Sequence, residues 1–287
     1  MKIVILGARG NLGSQLTLAL EADHEVYPFD KSDFDALDKK VLFKVLSDIM
    51  PDIVINTIAY NQVDNCENPE LYLQALELNR DLPAYLASLA LKLDYIIVHY
   101  SSDYVFNGLE SKTSFSEDDT PNPINKYGES KFLGEVEINK LKDKGLKYFI
   151  IRTSKLFGPK VEGSLAKPSF FDIMLKLSTK KKELLVVNEE LSCFTYTPDL
   201  AVASARLIIA RPDFGTYHLI NEDPVTWYEG ARELFELAKK QILLRPVRSE
   251  DLARAARRPK FSILKNNKLK KMRSYEKALK DYLRIIL

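Results

Sequence analysis

The chain has 287 residues, 46% of them hydrophobic, and carries 42 Lys or Arg against 40 Asp or Glu for a formal net charge of +2. That length and apolar content allow one large domain, or a domain with a smaller partner, built on an ample core. No apolar run approaches the ~20 residues of a membrane-spanning helix, and the opening MKIVILG is too short, with no cleavage region after it, to be a signal peptide, so the expected location is cytoplasmic.

The first apolar run, KIVILG (2–7), reads as a strand and leads straight into GARGNLG. Gly7, Gly10 and Gly13 are spaced G-x-x-G-x-x-G ahead of a helix expected over 12–22. Glycines in that position permit a tight turn, close approach of the backbone to a pyrophosphate and close packing of helix on sheet, while the helix N-terminus attracts phosphate charge. The next strand, EVYPFD (25–30), ends in Asp30, an acid placed to accept hydrogen bonds from an adenosine ribose. Asp30 favours NADH, whereas Arg9 in the loop and Lys31 beside the acid suit the 2′-phosphate of NADPH, so both cofactors stay open. Tyr27 and Lys31 have Tyr-x-x-x-Lys spacing, but Pro28 lies between them in a strand and a helical pair is excluded.

A helix expected over 35–50, the strand DIVINT (52–57) and a helix over 70–92 follow. The strand YIIVHYSS (95–102) then delivers Ser101, Ser102, Asp103 and Tyr104 to the carboxyl edge of the sheet, where open α/β proteins bind ligands. On the next helix, 125–144, Tyr127 stands four residues before Lys131, which puts both side chains on one face. A hydroxyl, a phenol and an ammonium make a proton-donating set for a carbonyl receiving hydride. Tyr127 is the expected general acid, with a free pKa of about 10 that the Lys131 ammonium lowers toward working pH. Lys131 also holds the nicotinamide ribose, and Ser102 hydrogen-bonds the carbonyl oxygen. The strands KYFIIRT (147–153) and LLVV (184–187) complete the alternation, which predicts an α/β fold with a doubly wound parallel sheet covered on both faces. From about residue 159 the order is less regular, and a smaller cap is expected there.

Cys66 and Cys193 lack CxxC spacing, and three scattered histidines make no recognisable metal set. From Lys240 onward fifteen Lys or Arg face four Asp or Glu, an asymmetry that suggests an anionic partner. No zinc finger, RNP-type strand or recognition helix accompanies it, so a phosphorylated small molecule is expected and a nucleic acid is not.

The glycine loop, the Tyr127/Lys131 pair and the strand-end serine resemble the extended short-chain dehydrogenase/reductases. Within them the chain is most similar to the dTDP-4-dehydrorhamnose reductases. The likeness runs to about Lys268 through PDIVINTIAYNQVDNCE (51–67), SSDYVFNG (101–108), PINKYGESK (123–131), IIRTSKLFG (150–158), TYTPDLA (195–201), GTYHLIN (215–221) and RPKFSILKNNKL (258–269). The resemblance implies a Rossmann domain over 1–158, joined by 184–218, and a substrate-binding cap over 159–183 and 219–287. It implies reduction of the C4 ketone of a nucleotide-linked sugar by NADPH or NADH, with Gly10, Asn11, Leu12, Asp30, Asp35, Ala59, Tyr60 and Asn61 at the cofactor. Val63, Ser102, Asp103, Tyr104 and Arg258 would lie at the nucleotide-sugar substrate, and a homodimer is compatible with it. Two departures stand out. Lys155 replaces the family's tryptophan, putting a flexible cation beside the sugar, and ELSCFT (190–195) replaces a Gln-x-Gly-x-Pro-Thr turn. The β regulatory subunit of methionine adenosyltransferase also resembles this family and lacks that tryptophan, so a non-catalytic NADP-binding role is the alternative. The persistence of Ser102, Tyr127 and Lys131 separates the two readings.

Overall fold

The computed structural model describes residues 1–108 and 113–287. The first half contains β1 (Lys2–Leu6), α1 (Asn11–Leu20), β2 (Glu25–Phe29), α2 (Lys39–Ile49), β3 (Ile53–Asn56), α3 (Pro69–Leu76), α4 (Leu82–Leu93), β4 (Ile96–Ser102), β5 (Ser114–Phe115) and α5 (Lys126–Asn139). The second contains β6 (Tyr148–Thr153), β7 (Leu156–Phe157), α6 (Phe170–Ser178), β8 (Glu183–Val187), β9 (Thr195–Tyr196), α7 (Thr197–Ala210), β10 (Gly215–His218), α8 (Trp227–Leu237), β11 (Leu243–Val247), β12 (Ile263–Leu264) and α9 (Tyr275–Ile286).

Six parallel strands form the main sheet in the order β10-β6-β4-β3-β1-β2. Alternate residues of a strand face opposite sides, so a strand covered on both faces must be apolar throughout. In β1 this is literal. Ile3 and Ile5 pack with Leu12 and Leu16 of α1 and Leu200 and Ile208 of α7, whereas Val4 and Leu6 pack with Leu42 and Leu46 of α2 and Leu82 and Leu86 of α4. Because β1 has β2 on one side and β3 on the other, the winding reverses there, and a crevice opens beyond the carboxyl ends of these strands.

Five of the six expected strands take their places in this sheet, but 184–187 does not. It lies in β8, which pairs with β11 in a separate two-stranded ladder. Leu184 and Val186 are buried with α6, α8 and α9 residues in the core of the cap, and the sixth strand of the main sheet is β10. Apolar β-branched composition marks a strand without saying which core it enters. The single helix expected over 70–92 is two, α3 and α4, joined by a π-helical turn at Glu77–Asp81 that buries Asn79. The basic tail is also less exposed in charge than its sequence suggests. Arg245 pairs with Glu183, Arg254 with Glu190, Arg258 with Asp64, Lys271 with Glu222 and Arg273 with Asp199. These five of the tail's fifteen cations are met by carboxylates from outside the tail.

Candidate active site

The crevice is a cavity of about 950 Å³, at the upper end of the usual range for ligand clefts. Its floor is the turn from β1 into α1. A Cβ on Gly13 would stand 2.2 Å from the Gly7 carbonyl oxygen, so only glycine lets the helix sit this close to the strand. Gly10 occupies the N-cap of α1 and brings no side chain to bond the first helical N–H groups, which suits them to a phosphate. The Asp30 carboxylate is held at the rim by the backbone N–H groups of Arg9 (3.0 Å) and Lys31 (2.8 Å), both of them exposed residues. Gly7, Gly10, Asn11, Leu12, Gly13, Asp30, Lys31, Asp35 and Ala59 to Asn61 all line the cavity. Arg9 does not line it; its backbone N–H holds the Asp30 carboxylate. Leu165 N donates to the Arg9 carbonyl at 2.9 Å, drawing the 165–169 segment over the glycine turn as a further wall.

Ser102, Tyr127 and Lys131 line the same cavity. Ser102 closes β4 opposite Thr153 of β6, and the hydroxyls of Ser101 and Thr153 at this wall are buried with no protein partner among the described residues, as ligand-binding groups would be. Tyr127 lies in the first turn of α5, whose N-cap Asn125 accepts from Gly128 N at 2.8 Å. A Cβ on Gly128 would stand 2.0 Å from the Tyr104 carbonyl oxygen, and the resulting close approach seats the Tyr127 ring edge-on against Tyr104, 5.8 Å between centroids.

Lys131 is buried, and its Nζ donates to the Tyr100 carbonyl at 2.7 Å. Burial pushes this amine down to about 8, with Glu135 opposing the shift. The expected lowering of Tyr127 by Lys131 does not carry over. Burial is the dominant influence and raises the phenol above its ordinary value, and the group pulling it back down is the Ser102 hydroxyl. The reason is geometric: the Lys131 ammonium is turned to the Tyr100 carbonyl inside the sheet edge.

The expected substrate wall is only partly assembled at the cavity. Ser102 and Lys155 line it, whereas Val63, Asp103, Tyr104 and Arg258 do not. The buried Asp103 carboxylate accepts from Ser102 Oγ (3.0 Å), Ser154 Oγ (2.8 Å) and Ser262 Oγ (2.6 Å), tying the ends of β4 and β6 to the C-terminal segment. Arg258 forks onto Asp64, with Nη1 and Nη2 each 2.6 Å from a carboxylate oxygen, and holds that carboxyl down at about 2. Nor is Lys155 a flexible cation. Its backbone is left-handed at φ 39°, its Nζ donates to the Glu190 carbonyl at 3.1 Å, and it sits 4.0 Å over the Trp227 ring and 4.9 Å over Phe194. Burial brings it down to about 8. Glu190, from the altered turn, is buried and accepts from Trp227 Nε1 (2.8 Å) and Ser249 Oγ (2.6 Å) besides pairing with Arg254.

Several residues here have no motif to announce them. Asn79, turned inward in the π-helical turn, bonds both backbone groups of Tyr60 and donates to Ser130 Oγ at 2.9 Å. Ser130 Oγ in turn donates to the Tyr127 carbonyl at 2.7 Å. One buried amide thus ties the cofactor-side loop to the helix carrying Tyr127. π-Helical turns concentrate at functional sites, but nothing in the sequence marks one.

The profile of the RmlD substrate binding domain matches residues 1–287. The spore coat polysaccharide biosynthesis protein SpsK of Bacillus subtilis is 34% identical, over 98% of this chain and 96% of its own. The dTDP-4-dehydrorhamnose reductase of Aggregatibacter actinomycetemcomitans is 30% identical, over 98% of this chain and 97% of its own. The crystal structure of dTDP-4-dehydrorhamnose reductase from Bacillus anthracis in complex with NADP superposes with a TM-score of 0.91 at 32% identity, covering 99% of both chains. A family model matched over residues 1–287, with relatives at 30% identity or more covered almost end to end, leaves one assignment: the chain belongs to the RmlD substrate binding domain family of extended short-chain dehydrogenase/reductases.

Proposed function

We propose that this protein is an NADPH-dependent reductase of a 4-keto nucleotide sugar, of the dTDP-4-dehydrorhamnose reductase kind, with Tyr127 as proton donor. The observation that carries the reading is one cavity lined both by the glycine turn and by Ser102, Tyr127 and Lys131. The residues fit a dinucleotide: an uncapped helix N-terminus for the pyrophosphate, Asp30 for the adenosine ribose, and Arg9 and Lys31 beside it for a 2′-phosphate. The cofactor, when bound, supplies hydride to the C4 carbonyl carbon. Ser102 then orients the carbonyl oxygen, Tyr127 gives that oxygen its proton, and Lys131 holds the nicotinamide ribose. A non-catalytic NADP-binding role would leave Tyr127 and Ser102 without a task. The RmlD-family reductases similar to this chain also give that alternative no support.

NADPH consumption with dTDP-4-dehydrorhamnose and with UDP-linked 4-keto sugars tests the reading. Turnover of at least one of them is expected, and NADPH binding without turnover of any would reject it. Gly10→Val should separately weaken NADPH binding by roughly tenfold or more, because a branched side chain there enters the space of the pyrophosphate. Fluorescence titration measures this, and unchanged affinity would remove the glycine turn from the cofactor site.

A further inference from the structure

Lys131 also ends a buried polar chain whose other two members, Asn56 and His99, the reaction above does not use. Asn56 closes β3, His99 is its register partner in β4, and Lys131 reaches down to them from α5. The Asn56 Oδ1 accepts from Ile58 N at 3.1 Å, which fixes the amide and turns its Nδ2 toward His99 Nδ1 at 3.2 Å. An amide nitrogen only donates, so Nδ1 must carry the lone pair, and a neutral imidazole then holds its proton on Nε2. That Nε2 faces Lys131 Nζ at 3.4 Å. A protonated Nε2 and an ammonium are two donors pointed at each other, whereas an amine would accept the bond.

The second buried histidine is built the opposite way. His218 Nδ1 is 3.0 Å from the Lys265 carbonyl, which only accepts, so Nδ1 holds the proton and the Nε2 lone pair faces the Arg152 guanidinium at 3.5 Å. One histidine welcomes its neighbouring cation and the other opposes it.

We propose that Asn56 and His99 form a tautomer lock that opposes the ammonium form of Lys131, making His99 a positioning residue that sets the pH range over which the Tyr127 and Lys131 pair works. The proposal rests on reading Lys131 as the partner of Tyr127 and of the cofactor ribose. The groups facing Lys131 Nζ are His99 at 3.4 Å and the Tyr100 carbonyl at 2.7 Å, both from β4, with Tyr127 and Glu135 one turn away on either side along α5; the Tyr100 carbonyl accepts from either form of the nitrogen, and Glu135 favours the ammonium. Burial first, and Lys131 second, keep His99 well below the usual imidazole range, so it stays neutral wherever the protein is folded near neutral pH. Lys131, with its pKa at about 8, is an ammonium below that pH and an amine above it. NADPH affinity is therefore expected to fall as pH rises through about 8.

Two measurements test the lock. With three histidines in the chain, ¹⁵N-histidine labelling reads each ring directly, and the expected spectrum shows His99 protonated on Nε2 and His218 on Nδ1. NADPH titrations across pH are then compared between the parent and His99→Gln, whose amide can turn its oxygen to Lys131. The alkaline loss of affinity should move up by about one pH unit in the variant. A His99 proton on Nδ1, or the same alkaline loss in both proteins, overturns the proposal. Absence of NADPH binding at every pH would instead tell against the cofactor reading, and the nitrogen spectrum of the parent would still decide the tautomer.

Discussion

Tyr127→Phe is expected to lower turnover by roughly 10²–10⁴-fold with NADPH affinity little changed, the range that a positioned general acid contributes. The phenylalanine keeps the ring that packs edge-on against Tyr104, so the helix start and the cavity shape survive and only the proton is lost. Burial holds the phenol above its ordinary pKa, which means the acid stays neutral and keeps its proton across the working range, and its own titration does not limit the reaction. The pH dependence should come instead from Lys131, as a decline in kcat/KM when pH rises through about 8. Single-turnover NADPH oxidation isolates the chemical step. Full turnover by the phenylalanine variant with a genuine substrate would assign the proton to another group.

The parts of this site that could be read from the sequence are those in which a backbone requirement leaves a fixed spacing. Gly7 and Gly13 are legible because the β1 to α1 turn has no room for a side chain at either, and Tyr127 with Lys131 because a helix repeats every 3.6 residues. What escaped depends on partners distant in sequence. Arg258 has its fork on Asp64, 194 positions away, a pairing that no local pattern announces. Lys155 looks like a loose cation until Trp227 and Phe194 of the cap close over it. Asp103 looks like a substrate contact, yet Ser262 and Ser154 reach its carboxylate from two other segments. The misplaced strand 184–187 has the same cause, since only the pairing with β11 decides which sheet it joins. Charge is the least transferable signal: fifteen cations in the tail suggest an anion, but these five of them are answered by carboxylates the chain brings from elsewhere: Arg245, Arg254, Arg258, Lys271 and Arg273.

Glu135→Ala should cost about 3–5 kcal/mol of stability, the usual effect of stranding one member of a buried ion pair. Glu135 lies one turn beyond Lys131 on α5, and its carboxylate binds Arg152 of β6 through Nη2 at 2.6 Å and Nε at 3.0 Å, with only 1% and 5% of the two side chains exposed. Without it the guanidinium keeps a long contact to the Glu117 carbonyl at 3.4 Å and the face of Phe106, neither of which neutralises the charge. Urea unfolding measures the loss, and a variant as stable as the parent would mean that solvent already reaches Arg152. Pairing the change with Arg152→Leu removes the stranded charge as well and should recover much of the stability, since a buried pair can be replaced by apolar groups at little net cost. The double variant also separates structure from function. Glu135 favours the ammonium form of Lys131, so even a refolded double variant should lose NADPH affinity at lower pH than the parent, opposite in sign to His99→Gln. An alkaline loss at the parental pH would show that Glu135 serves Arg152 alone.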